Sequence, residues 1–307
     1  MEICNLDMKS EYLLKKSAWL LLTILITFII YSPSLNREWQ FFDERLITNE
    51  GLFPIAINTQ EVFEIIKTYA FSYHSDYQNA FFSNLIITRY TNIIGAILNI
   101  LILYFFKTNG FYYHLLGVLT HVFSTIIIWL IFYKLLSYFE IKKYINIATT
   151  LLTLTWSLHP ANVESVEIAT NWTVILTYSF LFVFFLYSID KILKGNYKYQ
   201  ALETILVSLF YFLSLLINEH GSSLAFILFF VSLSLPFPST ENQTIKLRLI
   251  NSLKTCTPYI FGLIYFTFYY SLTLLSQTLK HLSTISHATN HLYERFSLVS
   301  LVYFFIF

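Results

Sequence analysis

Nine apolar blocks set the terms for this chain. They run approximately 17–31, 86–106, 112–136, 145–158, 166–189, 202–217, 222–236, 256–276 and 296–307. A hydrocarbon core about 30 Å thick takes roughly 20 helical residues at about 1.5 Å each. Several blocks fall short and must borrow flanking residues. The last holds twelve residues, about 18 Å of helix, so the chain is expected to stop inside a membrane segment as a truncated product. The expected class is an all-α polytopic membrane protein, one transmembrane domain over 1–307 with no soluble repeat domain.

The charge content agrees. Only 12% of residues are charged, against about 25% in a soluble domain. A formal net charge of +1 argues against a nucleic-acid partner. Two cysteines, Cys4 and Cys256, encode neither a disulfide framework nor a cysteine metal cluster. Lys15 and Lys16 precede the first block and no good small-x-small cleavage site follows, so the N-terminus reads as an uncleaved anchor with a cytosolic start. A bacterial inner membrane is favoured over an endoplasmic reticulum, though both orientations read alike. No Walker loop, dinucleotide fingerprint or His-Glu-x-x-His occurs. The sequons at Asn171 and Asn242 fall in a span and on the cytosolic side, and read as chance matches.

Thr88 to Phe106 is long enough to span. Yet Arg89, Asn92 and Asn99 lie near one helical face, with Gly95 and Ala96 between them. That suits a helix at the interface or packed on protein. If it does not cross, Lys9, Lys15, Lys16, Lys134, Lys142, Lys143, Lys191, Lys194, Lys198, Lys246, Arg248 and Lys254 share the cytosolic side. They are twelve of the nineteen basic residues, in short loops where the positive-inside rule applies. If it crosses, the last nine of them move outside. The rule therefore favours a non-crossing helix within a first outer loop over 32–111.

One polar set then collects on the outer side. Asp43, Glu44, His74 and Asp76 lie in 32–85, and Arg89 opens the interfacial helix. His114 and His121 mark the outer end of the next span. His159-Pro160 and Glu164 form a short turn, with Glu167 read as a local solvent contact. Asn218-Glu219-His220-Gly221 breaks 202–236 into a hairpin. An outer loop over 277–295 carries His281, His287, His291, Glu294 and Arg295, with only loose metal-ligand spacing. Bland readings stand beside these. His121 reads first as a packed helix residue, His159-Pro160 also caps a span, and Glu219-His220 also suits a solvated tip.

The order of these pieces resembles the membrane half of the tetratricopeptide-repeat O-mannosyltransferases and their bacterial relatives, in the C-type (GT-C) glycosyltransferase superfamily. The resemblance rests on Phe42-Asp43-Glu44 with Ile47 and Asn49, then Arg89-Tyr90-Thr91 and Leu98-Asn99. Tyr113-His114-Leu115 with His121 follows. The most specific piece is Leu158-His159-Pro160-Ala161-Asn162-Val163-Glu164-Ser165-Val166, and Asn218-Glu219 comes last. The likeness covers roughly 17–240. It departs at Glu44, at Tyr90 in place of a proline, and at Gly117 in place of an asparagine. Trp172 and Asn218 stand where the family has an arginine and a lysine. The repeats are absent.

The resemblance implies a GT-C-like helical bundle with interfacial helices in the first outer loop. It also implies transfer of a sugar from a polyprenyl-phosphate carrier to a hydroxyl on a protein or glycan at the non-cytosolic face. A hydroxyl acceptor needs a base for its proton, and Asp43 is the expected base, with inversion by direct displacement. Glu44 steers the acceptor or a divalent cation. The leaving phosphate needs donors, and Arg89, His114 and His159 are the available ones, with Glu164 and Glu219 supporting them. No protein metal site is expected. A non-catalytic relative is the alternative. A transporter fits less well, because the charges sit at one boundary rather than at mid-depth.

Overall fold

In the computed structural model, residues 2–37, 93–106, 109–168, 171–235 and 244–285 are described. They form helices with no strand among them. These are α1 (Glu2–Tyr31), α2 (Ile93–Phe106), α3 (Gly110–Tyr138), α4 (Ile145–Ser157), α5 (Pro160–Glu167), α6 (Trp172–Leu193), α7 (Ala201–Leu215), α8 (Leu224–Ser234) and α9 (Ile245–Ile285). Short 3-10 turns follow α1 (Ser32–Asn36) and precede α8 (Glu219–Ser223). Among the described residues, three helical stretches are long and apolar enough to cross a membrane: Lys16–Asn36, Gly110–Tyr138 and Trp172–Leu193. By length and composition this is a helical membrane protein. Contacts divide the chain into Met1–Phe266 and Thr267–Phe307. The described part of the second unit is the C-terminal stretch of α9.

In the first unit, α3 is the central helix. It packs most extensively on α6, then on α4 and α1. Ser124 faces Ser179, and Lys134 faces Asp190, so α3 and α6 run parallel. Lys16 sits over the Tyr133 ring while Tyr31 meets His121, so α1 runs antiparallel to α3. Trp129 reaches Thr150, and His121 reaches Ser157, which makes α4 antiparallel as well.

The helix faces explain this packing. On α1, Thr23, Thr27 and Tyr31 recur every fourth residue and are buried, whereas Leu21, Leu25 and Ile29 are exposed. On α4, Thr149, Thr153 and Ser157 are buried while Leu151 is exposed. Lipid is as apolar as leucine, so helices in it gain more from close approach and interhelical hydrogen bonds than from burying hydrocarbon. The small hydroxyls do this here. Thr23 Oγ1 donates to Thr150 Oγ1 at 3.3 Å, the Thr27 and Ser157 hydroxyls are 3.2 Å apart, and those of Ser124 and Ser179 are 2.6 Å apart.

Three expectations change. The block 166–189 is not one helix: α5 ends at Glu167 and α6 starts at Trp172, because Glu164, Glu167 and Asn171 are too polar to continue a span. The loop expected over 277–295 is helical as far as Ile285, with His281 in α9. Residues 277–285 hold no Gly or Pro to stop a helix, and Leu279 and Leu282 keep its spacing. The basic stretch before 256 is likewise helical from Ile245. By contrast, the interruption of 202–236 falls where Asn218 and Gly221 place it, between α7 and α8.

The helix expected within 88–106 is α2, beginning among the described residues at Ile93. Its 14 described residues rise about 21 Å. Its first turn is packed on protein. Ile94 N–H donates to the Leu216 carbonyl at 2.9 Å. A Cβ on Gly95 would lie 2.6 Å from the Ile217 carbonyl oxygen, so this contact requires glycine.

Candidate functional site

The end of the bundle where α1 and α4 finish and α3 and α6 begin carries the polar groups of interest. Ser157, the last residue of α4, organises it. Its carbonyl accepts from Tyr31 Oη at 2.7 Å and from His121 Nε2 at 3.0 Å. A carbonyl only accepts, so Nε2 carries the proton. The imidazole stacks on Trp156 with centroids 5.5 Å apart and meets the edge of Tyr31 at 4.7 Å. His121 is only 3% exposed. It locks α1, α3 and α4 together, in keeping with its reading as a packed residue.

His114 lies two turns before His121, and Gly117 shares their stripe on α3. A Cβ on Gly117 would stand 3.2 Å from the Val166 carbonyl oxygen. The residue without a side chain is thus what admits α5 against α3. His114 is fully buried. His159 is exposed and its Nδ1 accepts the Ala161 N–H at 3.2 Å, a cap on the first turn of α5. Asn162 fastens the same turn by donating from Nδ2 to the Trp156 carbonyl at 2.6 Å. The His-Pro motif therefore folds as a short capped helix across the end of the bundle.

Glu167 closes α5 and, besides a partial exposure to solvent, has a charged partner. Its Oε2 lies 2.9 Å from Nη1 of Arg37, the first residue after the 3-10 turn that follows α1. This pair was not singled out from the sequence. The signal available was a cation six residues past the end of α1.

Of the residues expected at the site, Asp43, Glu44 and Arg89 lie outside the described residues, as do His74, Asp76, His287, His291, Glu294 and Arg295. Glu164 lies on α5 by its backbone, with its side chain outside the described set. Glu219 opens the 3-10 turn before α8 and is half-buried. Trp172 and Asn218, where the resemblance puts cations, are 4% and 7% exposed. Among the described residues, then, His121, Tyr31, Ser157, His159, Arg37 and Glu167 are gathered at the end of α1 and α4. No group of three His, Cys, Asp or Glu side chains that could hold a metal ion occurs among them.

The opposite end is built differently. Asp190 pairs with Lys134 and, at 2.7 Å, with Lys194; Lys191 pairs with Glu203 at 2.6 Å and lies 4.0 Å over the Tyr199 ring. No family model, curated protein or solved structure matches the chain.

Proposed function

We propose that this protein is a glycosyltransferase that takes its sugar from a polyprenyl-phosphate carrier and passes it to a protein or glycan hydroxyl at the face opposite its cytosolic N-terminus, in a bacterial inner membrane. The observation that supports this most is the Arg37–Glu167 pair at 2.9 Å. It holds the exit of the first span beside the short helix that His159 caps and that carries Glu164. The Asp43-Glu44 segment begins six residues beyond Arg37, an extended reach of about 20 Å. A GT-C-like arrangement needs this proximity.

In the proposed reaction, Asp43 takes the acceptor proton as the acceptor oxygen bonds to the anomeric carbon. The bond from that carbon to the phosphate oxygen breaks, and the electron pair leaves with the polyprenyl phosphate. Glu44 orients the acceptor or a divalent cation. His159 has the surface position to donate to the phosphate, together with Arg89. His114 is too enclosed to reach a ligand without local movement, so its part is to support the site, alongside Glu164 and Glu219. A lipid-borne donor accounts for a site at the rim of a membrane bundle.

The test is transfer from a polyprenyl-phosphate sugar by purified Asp43→Asn. Loss of a general base is worth on the order of 100-fold or more, and unchanged transfer removes Asp43 as the base. A second reading, a non-catalytic relative of the same fold, is favoured by Trp172 and Asn218. Both are buried where cations for an anionic donor would be needed. Absence of transfer and of donor binding by the folded wild-type chain would select it.

A further inference from the structure

The end of the bundle away from the candidate site carries a basic surface of its own. It arises from two helix ends of the same kind. Helix α3 closes with Ile141 N–H on the Leu136 carbonyl at 3.1 Å, and α6 with Asn196 N–H on the Lys191 carbonyl at 2.9 Å. Each is the six-to-one bond of a Schellman turn, with a left-handed residue at its corner: Glu140 at φ 60° and Gly195 at φ 68°. Because α3 and α6 are parallel, both turns open at the same end. Lys134, near the end of α3, pairs with Asp190, near the end of α6, so the two connecting segments leave the bundle side by side.

The first turn presents Phe139, Ile141 and Tyr144 at 52%, 44% and 58% exposure, interleaved with Lys142 and Lys143. The second presents Lys194 and Lys198. Lys142, Lys143 and Lys198 are exposed and make no ion pair among the described residues. The acids of the two connections and the helix ends that flank them do not cancel these lysines. Asp190 is held by Lys134 and Lys194, and Glu203 by Lys191, which leaves Glu140 there against three lysines. Aromatic and aliphatic side chains alternating with lysines at the end of a membrane helix suit the boundary between acyl chains and headgroups.

We infer that the α3–α4 and α6–α7 connections form a docking surface for anionic phospholipid headgroups, with Lys142, Lys143 and Lys198 meeting the phosphates and Phe139, Ile141 and Tyr144 seated among the upper acyl carbons. This goes beyond the proposed transferase and needs only that the long apolar helices span. A lysine near an anionic surface contributes about fivefold in affinity, so three together contribute on the order of 100-fold.

The test titrates the purified full chain in mild detergent with short-chain phosphatidylglycerol, short-chain phosphatidylcholine and inorganic phosphate in separate arms. Phosphatidylglycerol is expected to bind, more weakly as salt rises, and the other two are not. Lys142→Gln/Lys143→Gln/Lys198→Gln should lose about 100-fold by the same count of charges, and the corresponding triple arginine variant should keep binding. Equal affinity for phosphatidylcholine overturns the inference, as does unchanged binding by the glutamine variant. Inorganic phosphate competing as well as the lipid overturns it in favour of a free-anion site. If the glutamine variant fails to fold, the wild-type and arginine chains still decide the matter: binding that ignores headgroup charge or salt overturns the inference.

Discussion

Tyr31 and His121 meet edge to face at 4.7 Å and donate to the same carbonyl, that of Ser157. One acceptor thereby ties the end of α1 to α3 and α4. Interhelical hydrogen bonds in membrane proteins average about 0.6 kcal/mol, so Tyr31→Phe should cost little, on that order. His121→Ala also loses the Trp156 stack and leaves a cavity, and should cost about 2–4 kcal/mol. Unfolding in mixed micelles separates the two. Equal costs would mean that the ring is not packed as described.

Arg37 and Glu167 are 48% and 23% exposed, so their attraction is screened and worth about 0.5–1 kcal/mol. Arg37→Glu and Glu167→Arg should each destabilise by that order, and the double swap should recover most of the loss. The readout is a double-mutant cycle on thermal unfolding. Additive losses in the double variant would show that the pair does not couple.

Gly95 and Gly221 differ in what a methyl group would meet. At Gly95 it is the Ile217 carbonyl oxygen at 2.6 Å, and at Gly221 the Leu215 and Leu181 methyls at 3.1 and 3.2 Å. Backbone cannot step aside as a leucine tip can. Gly95→Ala should therefore cost about 1–3 kcal/mol and Gly221→Ala less, read as a difference in midpoint of thermal unfolding.

Glu140 occupies a left-handed position at φ 60°, which costs an L-residue roughly 1 kcal/mol. Glu140→Gly should leave the fold as stable or raise it by up to about 1 kcal/mol, because glycine's own chain entropy offsets part of the relief. Gly195→Ala at φ 68° should lose about 1 kcal/mol although nothing lies within 4 Å of the added carbon. Thermal unfolding should move down for Gly195→Ala and hold or move up for Glu140→Gly. A shift of the same sign would place the cost outside the backbone.

The amino-acid order by itself determined that the described chain is helical, that it holds helices long enough to cross a membrane, and where α7 gives way to α8. Hydrophobic run length and polar interruptions are local properties, and they carry that information directly. It also singled out His121 as a packed residue and 88–106 as a stretch to be packed on protein or laid at an interface. Only the tertiary structure decided which polar groups meet. Arg37 and Glu167 are 130 positions apart, and nothing local to either selects the other. The break between α5 and α6 depended on docking as well, since Gly117 admits the Val166 carbonyl and His159 caps the short helix it lies beside. Helix periodicity says which residues share a face. It is the parallel course of α3 and α6, fixed by contacts such as Ser124 with Ser179, that says which faces share an end.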